Sequence, residues 1–254
     1  GPFIWNHIER EKGNFFWDDA DQYVVYAQEN NQTILATIWP HADWEQKSCK
    51  RKKARSAFGK RFTKYLSKPC SMDEYKNFLS KLVDRYDGDG SNDMPGLTKP
   101  IKFWDVMNEP EFDMFFRGSK EDFIEIFNFS SKVIKEKQPD AVIVMAGAAG
   151  MFPENKKYWK SVLPKIKDHF DIANIHHISG PDGRCDKELW VDEFAALLKS
   201  VDIKKPIWLT EAMTCGPPVK AWVNAFLNGA EVIIDVGVNA PGKKNEQKRQ
   251  KKIK

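Results

Sequence analysis

Six short runs of apolar and β-branched residues recur near residues 33, 101, 141, 172, 207 and 231, and stretches with helical periodicity lie between most of them. This alternation constrains the fold more than any single motif. The first run, Thr33 to Trp39, is almost continuously apolar or β-branched and is closed by Pro40, which fits a strand covered on both faces, as in parallel sheets. Strand and helix in turn then imply parallel neighbours joined by right-handed crossovers. Ser71 and Glu74 stand three apart as a capping box before Tyr75, Phe78, Leu79, Leu82, Val83 and Tyr86, which predicts a helix over 72–86. Asp18 or Asp19 is expected to cap an earlier helix with Tyr23, Val24 and Ala27 on its apolar face. Ser119, with Asp122 three residues on, opens a later helix presenting Phe123, Phe127, Ser130 and Ile134. The opening stretch, Phe3 to Glu9, reads as a loop.

Two of the apolar runs end abruptly in carboxylates. Ile101-Lys102-Phe103-Trp104-Asp105-Val106-Met107 stops at Asn108-Glu109-Pro110, where the proline forbids continuation of the strand and two polar side chains arrive at its exit. Lys205-Pro206-Ile207-Trp208-Leu209-Thr210 ends the same way, in Glu211. Either carboxylate alone could be only a polar strand end. At matching strand positions they make a candidate pair, one to hold a proton and the other to stay ionised, which requires surroundings that push their pKa values apart.

Asn108-Glu109-Pro110 after one strand and Thr210-Glu211 ending another resemble clan A of the retaining (β/α)8-barrel glycoside hydrolases, with families 5 and 39 as the nearest likenesses. The resemblance covers nearly everything before the basic C-terminal segment. It implies an α/β fold, a TIM barrel in which Glu109 follows the fourth strand as acid/base and Glu211 ends the seventh as nucleophile. The 102 residues between them are three strand-helix steps of about 34, near the roughly 31 that an eightfold barrel of about 250 residues implies. The first strand, its helix and most of the second are then expected to precede residue 1, leaving strands three to eight. The resemblance further implies that Asn108 donates to the sugar 2-hydroxyl and that His176, at the sixth strand's exit, lies beside the nucleophile, with His177 on the other face. No residue matches the Arg that such barrels bring from the second strand, and Asp235-Val236-Gly237-Val238-Asn239-Ala240 stands where a Trp commonly closes the eighth. Trp39, Trp44 and Trp104 are candidates for stacking on sugar rings, Trp44 equally for packing and Trp104 more for the core. The implied partner is an oligo- or polysaccharide cleaved by double displacement without metal or organic cofactor. The alternative is a catalytically impaired barrel that only binds carbohydrate.

No Gly-, Ser- or Pro-rich linker divides the 254 residues, so residues 1–242 are expected to form one domain and 243–254 a basic tail. No apolar stretch reaches the roughly 20 residues of a membrane span. Residues 47–64 carry +9 and residues 243–254 carry +6, which, taken from the whole chain's +4, leave −11 for the rest. Phosphates attract such clusters, but neither segment interleaves the aromatics that base stacking would use, so a nucleic-acid partner is not expected. Cys49, Cys70, Cys185 and Cys215 lack zinc-ligand spacing. Cys49 and Cys70 bracket the first basic segment and are either a disulfide or two buried thiols. Residues 41–69 are long for a strand-helix connection and are expected to be an insertion on the catalytic face.

Overall fold

The computed structural model describes residues 1–54, 63–177, 189–213 and 218–236. The chain enters with a one-turn helix, α1 (Trp5–Ile8), and a hairpin of β1 (Glu9–Glu11) and β2 (Asn14–Phe15), where the residue pattern suggested a loop. Trp5 fixes this entry. Its indole donates to Glu9 Oε2 at 2.7 Å, and its ring stacks on Phe78 with centroids 5.5 Å apart.

Strands and helices then alternate: α2 (Asp18–Glu29), β3 (Leu35–Ile38), α3 (Asp43–Ser48), α4 (Met72–Tyr86), β4 (Phe103–Val106), α5 (Lys120–Lys137), β5 (Val142–Val144), α6 (Pro153–Ile166), β6 (Ala173–His177), α7 (Val191–Ser200), β7 (Ile207–Ala212), α8 (Pro218–Leu227) and β8 (Ala230–Asp235). β3, β4 and β5 pair in parallel, as do β6, β7 and β8. Parallel bridges Val144 to Ile172 and Ala148 to Ile175 join the two triplets, so the strands follow one another in chain order. The result is the wall of a (β/α)8 barrel from its third strand to its eighth. Ile4 pairs in parallel with Trp39, flanking the C-terminal end of β3. Among the described residues no helix is long and apolar enough to cross a membrane.

The strands alternate between a helix-facing side and a barrel-facing side. Ala36, Ile38, Trp104 and Val106 are fully buried under the helix layer, whereas Thr37 and Asp105 point inward and meet through a 3.2 Å hydrogen bond. Trp104 donates its indole N–H to Gln138 Oε1 at the end of α5 (2.8 Å), so a large ring enters the core without leaving a donor unpaired. On α4, Phe78, Leu79, Leu82 and Val83 are all buried, each side chain contributing about 1.5–3 kcal/mol.

The helix starts show which side chains are free to cap. At α5 Ser119 and Asp122 form both halves of the capping box. At α4 only one half forms: Ser71 Oγ accepts from Glu74 N–H, but Ser71 N–H donates to Glu45 and the Glu74 carboxylate pairs with Lys12. Asp18 and Asp19 sit in the first turn of α2 rather than capping it, and Tyr23 is substantially exposed while Val24 and Ala27 are buried.

The long connection after β3 is pinned at several points. Cys49 and Cys70 form a disulfide with Cα atoms 6.0 Å apart, settling the alternative that spacing left open. Asp43 Oδ1 accepts from Thr63 Oγ1 and Lys64 N–H at 2.7 Å each, and Leu66 carbonyl accepts from Arg117 N–H. The connection is thereby tied to the segment that follows Glu109. Closing a 21-residue separation is expected to stabilise the fold by about 3 kcal/mol, so reducing the bridge should lower Tm by roughly 6–10 °C. A calorimetric scan with and without reductant checks this; an unchanged Tm would show that the bridge constrains nothing. The basic tail, Cys185 and Cys215 lie outside the described residues.

Candidate active site

β4, β6 and β7 all deliver polar side chains at their C-terminal ends, the rim where barrel enzymes place their chemistry. At the β4 exit the backbone departs from strand geometry: Met107 and Glu109 have φ of +74° and +39°, the left-handed region that non-glycine residues rarely adopt. Such conformations cost on the order of 1–3 kcal/mol each and concentrate at functional sites. They turn Glu109 inward before Pro110, and Phe112 N–H closes the turn onto Glu109 carbonyl at 3.0 Å. Asn108 is buried in the same exit, its backbone bridged to Gly147.

Glu109, His176 and Glu211 meet. His176 Nδ1 lies 3.0 Å from Glu109 Oε1 and 3.6 Å from Glu211 Oε2, and the three groups have polar atoms all within 4.8 Å of one another. Glu109 and His176 are buried, and Glu211 is about a third exposed.

The other imidazole nitrogen decides where protons sit. The Thr210 hydroxyl donates to Asn174 Oδ1 at 2.8 Å, which uses its single hydrogen. His176 Nε2, 3.1 Å from that hydroxyl, must therefore be the donor in their contact. With Nε2 protonated, the contact between Nδ1 and Glu109 Oε1 holds one proton: on the carboxyl when imidazole is neutral, on the ring when it is cationic. Burial alone would lower the His176 pKa. The hydrogen bond to Glu109 and the charges of Glu211, Glu109 and Asp105 outweigh burial and raise it. Burial raises Glu211, with Glu109 adding to the rise and His176 opposing it. The ligand-free site thus resists ionisation of Glu211, the carboxylate that sequence reading casts as the ionised one. His176, and to a smaller extent the N-terminal amine, work against that resistance.

Below the pair, Asp105 is 2% exposed, and burial drives its carboxyl well above the usual range despite the pull of His176 and Thr37. His41 is also buried, and burial pushes it down to about 4 against backbone hydrogen bonds at Ser67 and Phe115, so it is a neutral structural ring.

Of the three tryptophans weighed for sugar stacking, Trp104 and Trp44 take their packing alternatives and Trp39 is covered. Trp104 faces the helices, away from the carboxylates. Trp44 packs edge-on against Trp5 and donates to Glu9 carbonyl at 2.8 Å, so it serves packing. Trp39 lies at the rim but is 5% exposed, covered with Ile4, Leu66 and Phe115, and leaves no ring face open to a sugar. His177 is buried beside Trp190, their ring centroids 6.2 Å apart. Gly147 was not singled out by the sequence reading and is indispensable to this geometry: a Cβ there would stand 1.9 Å from His176 Nε2. The run Ala146-Gly147-Ala148-Ala149-Gly150, small residues at a strand exit, is the signal that marks it.

Residues 3–127 match the family model of glycosyl hydrolase family 10. No curated protein matches the chain. Among solved structures, a glucosidase from Croceicoccus marinus superposes with a TM-score of 0.62 at 15% identity, covering 89% of this chain and 47% of that one. A GH39 β-xylosidase from Caulobacter crescentus gives 0.59 at 14% over 85% and 46%. An endo-1,4-β-mannanase from Rhizomucor miehei gives 0.59 at 15% over 92% and 71%. The chain spans about half the length of the first two. The chain is thus matched by a glycoside hydrolase family model over residues 3–127 and shares the (β/α)8-barrel fold of glycosidases over most of its length.

Proposed function

We propose that the chain is a retaining glycosidase domain acting on a β-linked saccharide, with Glu109 as acid/base and Glu211 as nucleophile. One observation carries the reading: one oxygen of each carboxylate and one ring nitrogen of His176 lie within 4.8 Å of one another, a close approach that suits the roughly 5–5.5 Å carboxyl separation of double displacement better than the roughly 6.5–9.5 Å that inversion needs for a water. In the first step Glu109 gives its proton to the glycosidic oxygen as the Glu211 carboxylate attacks the anomeric carbon, breaking the bond to the leaving group. In the second, Glu109 takes a proton from water as its oxygen attacks the same carbon and displaces Glu211. The single proton shared between His176 Nδ1 and Glu109 is the one the first step spends. Asn108, buried at the same exit, would donate to the sugar 2-hydroxyl, a bond that strengthens as charge develops and so lowers the barrier. Residues 1–242 would form the catalytic body and 243–254 an appended tail.

The related structures are named for glucosidase, xylosidase, galactosidase and mannanase activities, so aryl β-glycosides of those four sugars form the assay panel. Proton NMR of the first-formed sugar should show the β-anomer. First appearance of the α-anomer would replace double displacement by inversion, and no turnover on any substrate would favour the barrel that only binds.

A further inference from the structure

Glu111 follows the acid/base candidate by two residues, yet its side chain serves neighbouring elements rather than the carboxylate pair. Its Oε1 accepts from Ala149 N–H and from the Trp159 indole N–H, both at 2.7 Å, and its Oε2 is buried without a hydrogen-bond partner among the described residues. Ala149 belongs to the loop leaving β5. Two residues earlier in that loop, Gly147 bridges Asn108 and makes room for the His176 ring, and Ala148 accepts from His176 N–H at 2.8 Å. Trp159 is fully buried in α6, so it is a fixed post.

We propose that Glu111 is a positioning residue that clamps the Glu109 turn to the loop on which His176 rests, holding proton donor and imidazole in register. This rests on the reading of Glu109 as acid/base. A turn held by two left-handed residues needs outside support to persist, and two charge-assisted bonds to separate elements provide it. Burial pushes the Glu111 carboxyl up to about 7, with Trp159 and Ala149 opposing and Glu109 adding, so the clamp changes charge near neutrality while keeping its acceptor oxygen in both forms.

Glu111→Ala and Glu111→Gln separate the possibilities, assayed on a 2,4-dinitrophenyl glycoside, whose leaving group needs no proton, and on an alkyl or unactivated aryl glycoside, whose leaving group does. Glu111→Ala should lose about 100-fold in kcat on the unactivated substrate with little change in KM, and less than about tenfold on the activated one. Glu111→Gln keeps the accepting oxygen and should recover at least about a third of the lost rate, with the alkaline limb of its pH profile moved toward acid because the charge beside the acid proton is gone. Equal losses in both variants, or a loss independent of leaving group, would overturn the clamp. A second readout needs no turnover. The His176 ring nitrogens, followed by NMR titration, should titrate lower in Glu111→Ala than in the parent chain, and an unmoved titration would overturn the proposal even where the glycosidase reading had itself failed.

Discussion

Glu211→Gln should cost on the order of 10⁵-fold in turnover, the scale on which loss of a nucleophile acts in other covalent hydrolases, while leaving the fold intact or slightly firmer. The amide has the carboxylate's shape and none of its charge, so the glycosyl-enzyme bond cannot form. The gain in stability follows from linkage. Glu211 has its pKa raised in the fold by burial and by Glu109, with His176 opposing, so between the unfolded and folded pKa values the native state binds more protons than the unfolded chain. Stability associated with this group is complete below the unfolded value, near 4.5, and is lost as pH rises through the folded one. A neutral amide removes that loss. Paired measurements of kcat and of Tm across pH 4 to 8 check both halves: the variant should be inactive at every pH, and its Tm should fall less than the parent's toward neutrality. In Glu211→Ala, where the shortened side chain opens the space, azide should enter the vacated position and restore turnover with the opposite anomeric configuration. Residual activity within about tenfold of the parent would assign the nucleophile elsewhere.

Much of this site was legible in the residues because the same physics writes both sequence and fold. A strand buried on both faces must be apolar along its length, so Leu35 to Ile38 and Phe103 to Val106 announce themselves, and a carboxylate at the end of such a run has only the barrel rim to occupy. The 102-residue interval from Glu109 to Glu211 agreed with the fourth and seventh strands that the resemblance implied. What was not legible depends on partners rather than on pattern. Trp39 differs from a sugar platform only in what covers it; Phe115 is part of that cover, and it is far from Trp39 in sequence. Glu74 had the spacing of a capping box and lost its role to a competitor, since Glu45 reaches Ser71 N–H first. Asp105 looks like an interruption of an apolar strand until its inward direction and its contact with Thr37 are known. Gly147 and Glu111 act through distances to side chains far along the chain, which no local periodicity encodes.

Gly147→Ala gives the sharpest independent test of that last point, because the substitution adds one methyl group and no chemistry. Gly147 does not lie in the left-handed region, so alanine suits the backbone, and the nearest obstacle is the imidazole. The new carbon would fall 1.9, 2.3 and 2.4 Å from Nε2, Cε1 and Cδ2 of His176, far inside van der Waals contact, so the ring must leave. It cannot tilt within its place, since Nε2 is held at Thr210 and Nδ1 at Glu109, and displacement breaks both bonds together. Losing the imidazole that shares the Glu109 proton should lower kcat/KM by about 10²- to 10³-fold, the range set by a misplaced acid. Overpacking should cost about 1–3 kcal/mol of stability. His176→Ala provides the control: it removes the three nearest atoms the methyl would strike, so Gly147→Ala in that background should change kcat/KM by less than about threefold, a strong departure from additivity. Equal losses in the two backgrounds would show that the glycine is needed for the loop itself and not for the imidazole, and the coupling of β5's exit to the carboxylate pair would fall with it.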